Sequence, residues 1–196
     1  PLQSVLGYAN LLTDTPLDQE QSEYVHTLLS ASESLSAIIN DLLDISSMEA
    51  EKLVLEDIPF DLRETLNDLV HMLGDRAREK GLALELRIDE ELPWALRGDP
   101  VRIRQVLLNL VSNAIKFTDS GHVLISIEVL GRRDEKVRLR LAVEDTGIGI
   151  NPEDVPLVYE PYVQLGQRFQ RQLPGAGLGL TICRQLVNLM QGSLDL

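Results

Sequence analysis

The sequence holds one cysteine, few aromatic side chains, no long apolar run and a minority of basic charge. The lone cysteine, Cys183, excludes an internal disulfide and a cysteine-based zinc site. It follows apolar residues in a helical pattern, which reads as a packed core thiol rather than a nucleophile. No run of about 18 apolar residues occurs, so no segment reads as a membrane span. No signal-peptide pattern is present either. The 18 Lys plus Arg face 31 Asp plus Glu, a net charge of −13. Such a chain repels phosphate backbones, which argues against nucleic acid as a partner. Aromatic residues make up 4% of the chain, and four of them (Phe117, Tyr159, Tyr162, Phe169) fall within a third of its length. That clustering is the first pointer to a site. The 196 residues are 44% hydrophobic, enough for one or two compact domains with a real core. No internal repeat or low-complexity stretch appears.

The charge is unevenly placed. Residues 17–57 carry ten acids and one base, Lys52, whereas residues 97–140 carry nine bases and five acids. The asymmetry suggests two units with different tasks. In the first, Tyr24, Leu28, Ala31, Leu35, Ile38, Leu42 and Ile45 recur in alternating steps of four and three, a heptad seam. Val25, Leu29, Ile39 and Leu43 widen it into a face suited to a helical bundle. A helix over 19–48 would be about 45 Å long. A shorter helix over Leu2–Thr13 precedes it, and Thr15-Pro16 with Asp18 marks the break and restart. Two helices cannot bury both apolar faces alone, so pairing with a second copy into a four-helix bundle is expected. Packing on its own chain is the alternative.

The second unit reads as α/β. Asp61 and Glu64 form a D-x-x-E box opening a helix to Lys80, which Gly81 ends. Residues 82–89 alternate as a half-buried strand, and Asp99-Pro100 is an N-cap with proline at the first helical position. That helix should run to Phe117. Two further alternating strands, around 123–129 and 137–143, form a hairpin with Gly131–Lys136 as its loop. A last helix covers 178–190, stopped by Gly192. The sum is an α/β sandwich with one sheet face covered by helices.

The helix over 100–117 has an apolar stripe, Val106, Leu107, Leu110, Val111 and Ala114, and a polar face with Arg102, Gln105, Asn109, Asn113 and Lys116. Asn109 and Asn113, four apart, lie one above the other. Asparagine is a mediocre helix former, so two stacked in a helix interior suggest a use, although a merely solvated face is the plain alternative. An amide oxygen can ligate Mg²⁺, and Lys116 one turn on can meet a phosphate. Two glycine loops follow. Asp145-Thr146-Gly147-Ile148-Gly149-Ile150 comes directly after a strand, where Asp145 can accept a hydrogen bond from an exocyclic amine such as that of adenine. Gly175-Ala176-Gly177-Leu178-Gly179-Leu180 opens the last helix, whose free N–H groups suit a polyphosphate. This loop superficially resembles G-x-G-x-x-G, but no parallel βαβ unit is expected before it, which argues against a dinucleotide fold. No G-x-x-x-x-G-K-[ST] occurs, which excludes a P-loop.

Taken together, these motifs resemble the sensor histidine kinases. Residues 105–118, from Gln105 through Asn109, Asn113 and Lys116 to Thr118, resemble the N box. Asp145–Gly149 resembles the G1 box, Tyr159-Glu160-Pro161-Tyr162 the F box and Gly175–Leu180 the G2 box. Pro1–Leu12 resembles the stretch just after the phosphoacceptor histidine, and Ile45–Leu53 the end of the dimerisation hairpin. The resemblance implies a dimerisation and histidine-phosphotransfer domain over residues 1–52 and a Bergerat-fold catalytic ATP-binding domain over 53–196. It implies ATP and Mg²⁺ as cofactors. Asp145 would recognise adenine, Asn113 would hold Mg²⁺, and Asn109 would stand where related ATPases carry a water-activating base. Asn109 and Lys116 would be the catalytic pair. The nucleotide would further meet Phe117, Gly147, Gly149, Ile150, Tyr159, Tyr162, Arg171, Gly175, Gly177, Leu178, Gly179 and Leu180, with segment 163–175 as the lid. The implied activity is transfer of the ATP γ-phosphoryl to a histidine and relay to an aspartate of a response regulator or receiver domain. The setting would be the cytoplasmic part of a membrane-anchored bacterial protein, of hybrid type in some members.

The acceptor histidine of the family would fall before Pro1, so this stretch is expected to bind nucleotide without phosphorylating itself. His26, His71 and His122 lack the H-E-x-x-[TN] context and are expected to be structural or exposed. Ser193–Leu196 resembles the start of a final hairpin that the family usually completes. Within the lid, Gly166–Pro174 lacks the usual Ser/Thr-rich character; Ala176 replaces a frequent threonine, and tyrosine replaces phenylalanine at both F-box positions. A second expectation follows from these departures: a catalytically weak, kinase-like regulatory module that pairs with another histidine kinase. An ATPase of the gyrase or chaperone type is disfavoured by Asn109 and by the helical hairpin.

Overall fold

The computed structural model describes residues 2–49, 53–163 and 177–196. Its internal contacts divide the chain into two units, Pro1–Leu53 with Pro161–Leu178, and Val54–Glu160 with Gly179–Leu196.

In the first unit, α1 (Leu2–Thr13) and α2 (Gln19–Glu49) form a helical hairpin. Asp18 starts α2 by a reciprocal box: its carboxylate accepts the Gln21 N–H at 2.8 Å, and the Gln21 side chain accepts the Asp18 N–H at 3.1 Å. Ala9 and Val25 are buried, as is the small Ser32. Much of the heptad seam and its widened face stays exposed, however: Tyr24, Leu28, Leu35 and Leu42 of the seam, and Leu43 beside it.

The second unit begins with β1 (Ile58–Phe60), α3 (Leu62–Glu79), β2 (Ala83–Ile88) and β3 (Leu96–Gly98). It continues with α4 (Pro100–Phe117), β4 (His122–Arg133), β5 (Lys136–Asp145), a 3-10 turn at Leu157–Tyr159 and α5 (Gly179–Leu189). A three-stranded sheet has the order β2-β4-β5, with β2 parallel and β5 antiparallel to β4. Leu66, Leu69 and Leu73 of α3 and Leu107 and Val111 of α4 pack with Val123, Ile125 and Ile127 of β4 into one apolar core. The opposite sheet face carries Glu85, Arg87, Glu128, Arg140 and Glu144 into solvent. Cys183 is fully buried, its Sγ 3.7 Å from the Val106 carbonyl, as a core thiol should be.

Two expectations change, and one strand pair is new. The segment Gly131–Lys136 is not a loop: β4 and β5 stay paired out to Arg133 and Lys136, leaving only Asp134 and Glu135 in the turn. The polar composition there reflects a hairpin exposed on both faces, not an end of pairing. A parallel crossover does precede the second glycine loop, because β2 and β4 run parallel with α4 between them. That loop opens α5 rather than the helix of the crossover, so the dinucleotide geometry is still absent. Finally, β1 and β3, three residues each, form an antiparallel pair that no periodicity could announce.

Asp99 ties this second unit together at the start of α4. Its Oδ1 accepts the Arg102 N–H at 3.0 Å as an N-cap, while Oδ2 accepts the Glu56 N–H at 3.1 Å. Replacing it leaves two N–H groups without acceptors. Asp99→Ala should therefore lower unfolding stability by about 1–3 kcal/mol in chemical denaturation, with Asp99→Asn losing less. An unchanged midpoint would contradict the double role.

Candidate functional site

The apolar stripe of α4 fixes how the helix is rolled. With Val106, Leu107, Val111, Ala114 and Ile115 in the core, Asn109, Asn113 and Lys116 are left half-buried along its flank. The Lys116 ammonium lies 4.8 Å from the centre of the Phe117 ring. Partial burial holds its pKa below the ordinary lysine value. Gly179, the first residue of α5, comes close to Asn109: a methyl group added to the glycine would stand 3.5 Å from the Asn109 amide oxygen. The first turn of α5, with its N–H groups and positive end, thus lies beside Asn109.

The other end of α4 meets the loop after β5. The Phe117 carbonyl accepts the Ile148 N–H at 3.4 Å, and the Asp145 Oδ1 accepts the Gly147 N–H at 2.8 Å. Gly147 has no room for a side chain, since a Cβ would lie 2.5 Å from the Phe117 oxygen and 2.7 Å from the Asp145 Oδ1. Asp145 itself is exposed, as are Ile148, Gly149 and Ile150. Thr146, which motif reading passes over, anchors the loop: its Oγ1 accepts the His122 N–H at 3.0 Å and bonds the Ser120 carbonyl at 3.1 Å. No local pattern could have signalled this, because the bonded residues are more than twenty positions apart.

Not every expected residue joins this group. Tyr159 is buried and engaged by its own surroundings. Its hydroxyl bonds the Leu194 carbonyl at 3.3 Å, its ring lies 4.8 Å from the Arg184 guanidinium, and its carbonyl accepts from Thr181 and Arg184. Burial first, and then the Asp195 carboxylate, push its phenol pKa up. Tyr162, exposed and at positive φ, donates its N–H to the Gly177 carbonyl at 3.1 Å. Leu178 is buried and Leu180 half-buried. Arg171 and Gly175 lie outside the described residues. His26, His71 and His122 are exposed. Among the described residues, no group of three or more His, Cys, Asp or Glu side chains is placed to hold a metal ion. No helix among them is long and apolar enough to cross a membrane.

Comparison with known proteins identifies both halves. Residues 98–196 match the model of the histidine kinase-, DNA gyrase B- and HSP90-like ATPase family, and residues 1–51 match the His Kinase A (phospho-acceptor) domain. The chain is 41% identical over 194 residues to the sensor protein GacS of Pseudomonas syringae pv. syringae. It is also 41% identical over 195 residues to the signal transduction histidine-protein kinase BarA of Escherichia coli (strain K12). These alignments cover 99% and 100% of the chain but 21% of each relative, so the chain spans about a fifth of their length. Among solved structures, full-length ShkA in complex with AMPPNP superposes with a TM-score of 0.76 at 35% identity, over 97% of this chain and 38% of that one. Histidine kinase ThkA in complex with response regulator protein TrrA superposes with a TM-score of 0.62 at 25% identity, over 97% of this chain and 52% of that one.

The tight approach at residue 147 can be measured directly. Gly147→Ala should destabilise the chain by about 1–3 kcal/mol in thermal unfolding, because its Cβ collides with a backbone oxygen and a held carboxylate. Gly149→Ala, with φ +66 but nothing within 4 Å of the added atom, should lose only the left-handed backbone cost, roughly 1 kcal/mol.

Proposed function

The chain belongs to the sensor histidine kinases, and from that premise we propose that its second unit binds Mg-ATP along the polar face of α4. The γ-phosphoryl would pass to a histidine and then to an aspartate of a response regulator. The observation that carries this reading is convergence on one helix face. Asn109 meets the start of α5, and Phe117 meets the Asp145–Ile150 loop, so the start of α5 and that loop flank one stripe of amide and ammonium groups.

Each group suits a part of the nucleotide. The Asp145 carboxylate, held by the Gly147 N–H, has a second oxygen for the adenine amine. The first turn of α5 presents N–H groups and a positive helix end to a phosphate. Partial burial lowers the Lys116 pKa, and an anion beside the ammonium would favour its charged form. Asn113 offers Mg²⁺ a neutral oxygen, with the triphosphate completing the oxygen donor set such an ion prefers. Bound Mg²⁺ would neutralise charge on the transferring phosphoryl group. Asn109 has no basic group to take a proton from water, which favours transfer to a protein acceptor over hydrolysis. ATP would thus be held mostly by backbone N–H groups, one ammonium and a metal, compatible with a chain of net charge −13.

We assign residues 1–52 to dimerisation and phosphotransfer and residues 53–196 to catalysis. The exposed seam of Tyr24, Leu28, Leu35 and Leu42 supports a second copy packing on the hairpin as a four-helix bundle. The acidic stretch 17–57 is where a response regulator would dock, on the cytoplasmic side where ATP is supplied.

Titration calorimetry with ATP tests the site. Wild type should bind with a requirement for Mg²⁺. Asp145→Asn should weaken binding about tenfold, the scale of one hydrogen bond to a charged group. Asn113→Ala should abolish the advantage of adding Mg²⁺. Failure of the wild type to bind, or an Asp145→Asn variant that binds equally well, would contradict the assignment.

A further inference from the structure

The last turn of α4 is held by a residue outside the sequence motifs of the candidate site. Its closing carbonyls have no partner within the helix. The Phe117 carbonyl is taken by the Ile148 N–H. Those of Ile115, Lys116 and Thr118 all converge on the Lys80 ammonium, at 2.7, 2.9 and 3.2 Å. A lysine has three N–H donors, and these bonds use all of them.

Lys80 can reach there because its own backbone is fixed. It is the C-cap of α3, followed by Gly81 at φ +72. The Leu82 N–H returns to the Ala77 carbonyl and the Gly81 N–H to the Arg78 carbonyl, the two bonds of a Schellman motif. Leu82 is itself buried in the core. One residue therefore terminates two helices, α3 with its backbone and α4 with its side chain. The ammonium also sits at the negative end of the α4 dipole, where a cation is favoured.

We propose that Lys80 is a positioning residue for the nucleotide site, acting through the last turn of α4 without touching the ligand. That turn carries Lys116 and Phe117. The Phe117 carbonyl in turn sets the place of Gly147 and Ile148, and the Gly147 N–H holds Asp145. Loss of the ammonium frees three carbonyls, lets the turn unwind and loosens the loop where it meets the Phe117 carbonyl. The inference rests on the ATP reading of the site, yet its first link, from Lys80 to the loop, exists without nucleotide.

The test compares Lys80→Met with Leu86→Ala, a core truncation on β2, in the 196-residue chain. In ligand-free ¹H–¹⁵N spectra, Lys80→Met should displace the amide signals of Gly147 and Ile148, whereas Leu86→Ala leaves them in place. In calorimetry with Mg-ATP, Lys80→Met should weaken binding about tenfold, on the scale of charge-assisted hydrogen bonds. Leu86→Ala should lower the melting temperature without that loss. Lys80→Arg keeps the charge at the helix end, although its planar fork cannot serve three carbonyls equally, and should recover most of the affinity. Lys80→Gln is the milder variant should Lys80→Met fail to fold, with the same displaced signals and a smaller loss. Unmoved Gly147 and Ile148 signals, or equal weakening by Leu86→Ala, overturn the inference while leaving the ATP site standing. A wild type that binds no Mg-ATP overturns the ATP site and this inference with it.

Discussion

Everything at the candidate site depends on how α4 is seated. A helix with one stripe in an apolar core cannot roll, so its remaining face points one way. In α4 the seated stripe is Val106, Leu107, Val111, Ala114 and Ile115, and the face left over holds Asn109, Asn113 and Lys116. Its ends are fixed by opposite charges that match the dipole in sense. Asp99 takes N–H groups at the start, and Lys80 takes carbonyls at the finish. Gly179 at the start of α5 and Gly147 in the loop after β5 then have a fixed object to approach, one at Asn109 and one at Phe117.

Such a seat reconciles the charge of the chain with a phosphate ligand. A strongly acidic protein cannot attract polyphosphate through a broad basic surface. It can do so locally, through helix-end N–H groups and a single half-buried ammonium. The acids concentrate in residues 17–57, and the bases in residues 97–140, which include α4 and the β4–β5 hairpin. A net charge of −13 disfavours a phosphate polymer as a partner without disfavouring a single nucleotide.

Much of this was legible in the sequence where the signal is local. Asp99-Pro100 marks the start of α4 at the residue where the structure begins it, and the four-residue spacing of Asn109 and Asn113 places both on one flank. The heptad steps between Tyr24 and Ile45 likewise foretell a single long helix, Gln19–Glu49. What stayed hidden is long-range. Ile58–Phe60 and Leu96–Gly98 are too short to show a period and exist because they pair with each other. Residues 131–136 are polar because their hairpin is exposed on both faces, which mimics a loop. The parallel pairing of β2 with β4 and the reach of Lys80 to α4 join residues more than thirty positions apart, beyond any local pattern. Tyr159, grouped with the site by its motif, is bound instead by Thr181, Arg184 and Leu194.

The central claim is that one face of α4, flanked by the start of α5 and the loop after β5, is where ATP binds. A crystal structure of the chain grown with Mg²⁺ and a non-hydrolysable ATP analogue tests it most directly. The account predicts the adenine amine against the Asp145 carboxylate, the metal on the Asn113 amide oxygen and the phosphates between Lys116 and the first turn of α5. A nucleotide bound elsewhere, with Asp145 and Asn113 making no contact to it, would contradict the account.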